Sequence, residues 1–133
     1  MTYDFEQTAT IPATPSAIYD AWMSSAEHTA MTGAGARVDP AIGGEFSAWD
    51  GYISGTTLEL GPGRRIVQTW RTAEFATDDP DSIIEVTFEP VPAGTLLTLA
   101  HRNVPSGQRG YEDGGWESNY FEPMISYFRS RQM

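Results

Sequence analysis

The residues of this chain best equipped for chemistry are His101, Gln68 and a group of tryptophans and tyrosines. His101 follows Leu97 and Leu99 at strand spacing, so a strand that turns those leucines into a core turns the imidazole inward too. An inward imidazole can act as acid, base or ligand anchor, or it can be a structural group satisfied by a tyrosine, a carboxylate or the backbone. Gln68 lies between Ile66 and Trp70 on one strand parity and becomes a buried amide, with the hydroxyls of Thr56 or Ser54 as its expected partners. Trp49, Trp70, Trp116, Tyr120 and Met124 either line a ligand cavity, their N–H and O–H groups orienting what enters, or simply fill the core. His28 is expected on the surface of a short helix.

What is missing narrows the chemistry further. The chain has no cysteine and no lysine, which removes thiol nucleophiles, disulfides, Schiff bases and a phosphate-loop lysine. Glu45, Asp50 and Glu117 could join the histidines at a metal, but nothing has metal-ligand spacing. No nucleophile elbow, phosphate loop or dinucleotide fingerprint is present. No catalytic residue, metal site or cofactor is therefore expected. Eighteen acidic residues against eight arginines give a net charge of −10, a surface that repels nucleic acid and anionic membranes. The N-terminus lacks a cationic, apolar leader and no apolar run is long enough to span a bilayer, so a soluble cytoplasmic protein is expected.

Positioning these groups requires a sheet. Residues 3–11 alternate as a first strand, and Thr14-Pro15 offers an N-cap followed by proline at the first helical position. Ser25 is expected to cap a second short helix that ends at Gly33 and Gly35. Strands follow at about 44–49, 52–60, 64–72, 82–90 and 94–102. Asp50-Gly51 reads as a two-residue hairpin, Gly61-Pro62-Gly63-Arg64 as a type II turn and Val91-Pro92-Ala93-Gly94 as the last hairpin. Ala76 to Asp81 is an acidic, solvated connection. From Gly115 one helix carries Trp116, Tyr120, Met124 and Tyr127 on a broad aromatic face, with Pro123 bending it or freeing the carbonyl of Asn119. A sheet that buries one face needs a cover, and only this helix is long and apolar enough to lie across it.

Several segments together carry a family resemblance: Thr10 to Trp22, Gly43-Gly44-Glu45-Phe46, Trp49 to Gly55, Arg65 to Trp70, Gly94 to His101, and Gly115-Trp116 with Tyr120. Over nearly its whole length the chain resembles the activator of heat-shock protein 90 ATPase homologue family, within the START-like helix-grip (SRPBCC) superfamily. The resemblance implies one START-like domain over residues 1–133, an α+β helix-grip in which a curved antiparallel sheet wraps a long C-terminal helix. It implies a stress-response setting and a noncatalytic binding module, which holds a small apolar or aromatic ligand between sheet and helix or contacts a chaperone partner. Ligand-binding residues are then expected to be Trp49, Gln68, Trp70, His101, Trp116, Tyr120 and Met124. The alternatives are a cyclase- or hydratase-type enzyme using His101 as acid or base, and an interaction role through the acidic surface.

Overall fold

A computed structural model describes residues 2–108 and 110–131 of the chain. Its strands are β1 (Thr2–Ile11), β2 (Arg37–Val38), β3 (Glu45–Ala48), β4 (Ile53–Gly61), β5 (Arg65–Thr72), β6 (Ser82–Val91) and β7 (Gly94–Pro105). They form one antiparallel sheet in the order β1-β7-β6-β5-β4-β3-β2. Helices α1 (Pro15–Trp22) and α2 (Ser25–Thr32) bridge β1 and β2, and α3 (Glu122–Ser130) ends the chain after wide helical turns at Tyr111–Gly115 and Glu117–Phe121. This is the α+β helix-grip, with the curved sheet wrapped around the C-terminal helical segment.

Local chemistry explains most of these boundaries. Arg64 N–H donates to the Gly61 carbonyl at 2.8 Å, and Gly63 takes φ 73°, as a type II turn requires at its third position. Thr14 accepts from the Ala17 N–H at 3.2 Å and Pro15 starts α1. The cap of α2 is Ser24 rather than Ser25, accepting from Glu27 N–H at 3.2 Å. Ser25 Oγ is thereby free to accept from Val38 N–H at 2.8 Å, which fixes β2, a strand too short for alternation to reveal.

Two expectations about the strands change. Asp50-Gly51 does not make a two-residue hairpin, because β3 stops at Ala48 and three successive residues, Trp49 (φ 54°), Asp50 (57°) and Gly51 (91°), turn left-handed. In β4 the pairing shifts between Thr57 and Glu59, a bulge that reverses the parity of the strand. Leu58 is left 40% exposed while Thr57 turns into the core. Thr56 and Ser54 consequently face the other way from Gln68.

The concave face carries Ile66, Trp70, Ile84, Val86, Leu97 and Leu99, all buried. Trp116, Tyr120, Phe121, Met124 and Phe128 of the C-terminal segment cover it. The tryptophan, tyrosine and methionine of the expected face are thus inward, but Tyr127 is only partly buried and donates to Glu27 Oε1 at 2.9 Å. A single regular helix from Gly115 does not form. Pro123 cannot donate, and the turn before it widens so that Glu122 N–H reaches the Glu117 carbonyl, five residues back.

Candidate functional site

A cavity of about 510 Å³ lies between the sheet and the C-terminal segment, a size that suits a small organic molecule. Trp49, Trp70, Trp116 and Tyr120 wall it, joined by Tyr52 and Tyr111. Thr72, Glu74 and Asn119 add polar groups. Trp70 arrives by strand alternation on β5, and its ring lies 4.7 Å from that of Trp116, centroid to centroid. Trp116 N–H donates to the Tyr111 carbonyl across a kink at Asp113 and Gly114, and the Trp116 ring lies 6.3 Å, centroid to centroid, from those of Tyr111 and Phe121. Trp49 is held by its left-handed loop. Asp50 N–H donates to the Gly35 carbonyl at 2.9 Å, and Gly35 N–H donates back to Asp50 Oδ1 at 2.8 Å. A bulky residue at positive φ costs about 1–3 kcal/mol, and here that strain is spent at the cavity wall.

His101 lies fully buried behind this wall, packed against Trp70, Trp116 and Tyr111. Trp116 Nε1–H donates to His101 Nδ1 at 3.2 Å, which makes Nδ1 the acceptor and places the ring proton on Nε2. Nε2–H then donates to Ser82 Oγ at 2.9 Å, and Ser82 donates onward to the Trp70 carbonyl at 2.6 Å. Burial pushes the His101 pKa down to about 3. Both nitrogens are occupied and among the described residues no carboxylate bonds them, so this imidazole orients Trp116 and has neither a free lone pair nor a tuned proton to offer a ligand.

His28 corrects the expectation of a surface histidine. It is 2% exposed, with Nδ1 at 2.9 Å from the Trp22 carbonyl and Nε2 at 2.9 Å from the Tyr120 hydroxyl. The carbonyl can only accept, so Nδ1 carries the proton and Tyr120 donates to Nε2. Burial lowers the His28 pKa and raises that of Tyr120. Gln68 is buried as expected, but its partners differ: Oε1 accepts from Trp22 Nε1–H at 3.1 Å and Nε2 donates to Thr57 Oγ1 at 3.2 Å. The β4 bulge is the reason, since it sets Thr57 opposite Gln68.

The four tryptophans therefore divide. Trp22 and Trp116 have acceptors in Gln68 and His101, whereas the N–H groups of Trp49 and Trp70 are buried without one among the described residues. The Tyr120 and Tyr111 hydroxyls lie near these two N–H groups and feel them as a weak stabilisation of the ionised phenol, yet neither reaches hydrogen-bond geometry.

Of the residues singled out from sequence, Trp49, Trp70, Trp116 and Tyr120 meet at the cavity. Gln68, His101 and Met124 are buried beside it and do not line it. Tyr111, Tyr52 and Thr72 were not singled out; the five-residue interval from Tyr111 to Trp116 to Phe121 was the available signal. Glu45, Asp50 and Glu117 stay apart, and among the described residues no three histidine or carboxylate side chains converge as a metal set. A second, polar groove of about 720 Å³ on the outer sheet face is lined by Ser47, Ser54, Thr56, Thr69 and Arg71. Among the described residues no helix is long and apolar enough to cross a membrane.

Comparison with known proteins converges on one family. The family model described as "Activator of Hsp90 ATPase homolog 1-like protein" matches residues 12–129. The chain is 30% identical over 124 residues to the human activator of 90 kDa heat shock protein ATPase homolog 1, covering 90% of this chain and 35% of that protein. An uncharacterized protein of Schizosaccharomyces pombe is 28% identical, over 96% of this chain and 38% of its own length. The chain thus spans little more than a third of these curated relatives. Among solved structures, an Hsp90 activator from Plasmodium falciparum superposes with a TM-score of 0.83 at 27% identity, covering 95% of this chain and 96% of that one. A Mesorhizobium loti protein, at TM-score 0.79 and 22% identity over 96% and 97% of the two chains, shares the fold. With the helix-grip, its aromatic C-terminal segment and a family match running from Pro12 to Arg129, this chain belongs to the activator of Hsp90 ATPase homolog 1-like family.

Proposed function

We propose that this domain is a noncatalytic binding module that holds a small apolar or aromatic molecule between the sheet and the C-terminal segment. The observation that carries the reading is the cavity of about 510 Å³ walled by Trp49, Trp70, Trp116 and Tyr120. His101, with both nitrogens engaged and its pKa pushed down to about 3, favours binding over acid-base turnover, which needs a group poised near the working pH. Occupancy should raise the melting temperature by mass action and quench tryptophan fluorescence. A thermal-shift and fluorescence screen of small aromatic compounds tests this, and the absence of any saturable hit refutes it.

A second reading has its own support. The Plasmodium falciparum protein described as an Hsp90 activator is matched over 96% of its chain, so a single domain of this kind can bear that description. By that analogy this domain contacts a chaperone of the Hsp90 class. Titration calorimetry of the purified domain against the Hsp90 of its own organism, with ATPase turnover followed in parallel, tests it. No heat of binding and no change in turnover would remove the chaperone from the account.

A further inference from the structure

The two unpaired tryptophans say more about the occupant than the cavity's size does. We propose that the cavity takes an uncharged aromatic molecule bearing a hydrogen-bond-accepting oxygen of the carbonyl type, which receives the N–H groups of Trp49 and Trp70. This rests on the binding-module reading above and adds the chemical class of the ligand. Among the described residues Trp22 and Trp116 have acceptors, at 3.1 and 3.2 Å, and the two remaining indoles, both of which wall the cavity, have none. An N–H buried without a partner is disfavoured. A ligand that brings an oxygen to that wall relieves this, and a hydrocarbon of the same shape does not. The two nitrogens are shut off from solvent, so the oxygen reaches them as the rings adjust.

Charge selects against ionic occupants. Among the described lining residues none is basic and Glu74 is acidic, so none of these offers a carboxylate a counter-charge for the hydration it would lose. The aromatic walls and Glu74 would suit a cation, but a cation gives the two N–H groups no acceptor. A neutral oxygen satisfies both constraints.

The test uses four probes on the full chain: benzophenone, diphenylmethane, which has the same two rings without the carbonyl, benzoate and phenyltrimethylammonium. Dissociation constants come from fluorescence titration, and the four indole N–H resonances are followed by nitrogen-15 correlation NMR. Benzophenone should bind about tenfold or more tightly than diphenylmethane, the gain expected of one or two new hydrogen bonds. Only the Trp49 and Trp70 N–H signals should move downfield beyond the ring-current shift that diphenylmethane produces. Trp49→Phe, which removes an N–H and keeps an aromatic ring, should shrink the ratio of benzophenone to diphenylmethane affinity, whatever it does to either affinity alone. Equal affinity of benzophenone and diphenylmethane overturns the ligand class and leaves the binding module standing. Tighter binding of benzoate or phenyltrimethylammonium overturns it likewise. If no probe binds, the cavity reading and this inference fall together.

Discussion

Acidification should destabilise this domain through its two buried histidines, well before most carboxylates titrate. His101 has a folded pKa of about 3 against an ordinary 6.5, so unfolding in between takes up a proton. The stability tied to its neutral form is complete above about pH 6.5 and is lost as the pH falls toward the folded value. Moving from about pH 7.5 to about pH 5 costs roughly 2 kcal/mol from His101 alone, at about 1.4 kcal/mol for each pH unit below the unfolded pKa. That figure depends little on the folded value once it lies well under 5. His28, whose pKa burial lowers as well, adds to the loss. Tyr111 and Tyr120, whose rings face the two histidines, have raised pKa values and stay neutral throughout. Glu85, held below its ordinary 4.5 chiefly by the hydrogen bond from Arg65, contributes stability that disappears only at lower pH. A total of about 5–15 kcal/mol is usual for a domain, so the loss is readily measured. Urea unfolding at the two pH values should show the midpoint falling, and His101→Gln should flatten the dependence by close to one proton. Histidine ring signals that stay put in the folded protein down to about pH 5 would agree. A folded-state midpoint near 6.5 for His101, or a stability indifferent to pH across this window, would refute the reasoning.

Two substitutions probe the same packing by other means. Trp116→Ala removes a fully buried indole and leaves His101 Nδ1 without its donor, and should cost about 3–5 kcal/mol; an unchanged melting temperature would contradict the placement of the C-terminal segment on the sheet. Tyr120→Phe keeps the ring and deletes only the hydroxyl that donates to His28 Nε2 at 2.9 Å, so denaturant unfolding should show a loss of about 1–3 kcal/mol, whereas a neutral result would mean that His28 is satisfied otherwise.

Periodicity and turn chemistry made the frame legible in the residues themselves. Alternation turns Ile66, Gln68 and Trp70 inward together on β5, and Leu97, Leu99 and His101 on β7, as observed. Pro62 and Gly63 specify their turn because φ is restricted at one and permissive at the other. Thr14 before Pro15 specifies the start of α1, since capping acts within one helical turn. These rules are local, so the local sequence determines their outcome. The tertiary structure alone decided which polar atoms are satisfied, and by what. His28 is buried because Tyr120, 92 positions away, comes to its ring, which nothing in the weakly amphipathic stretch of α2 foretells. Gln68 bonds Thr57 because a bulge reversed the parity of β4. Pro123 is visible in the sequence, but the widened turn before it, in which Glu122 N–H reaches the Glu117 carbonyl, is not. The division of the tryptophans into two paired and two unpaired follows from the way the layers meet. Hydrogen bonds between distant segments depend on ångström-scale approach, and a pattern of residue types along one chain does not contain that distance.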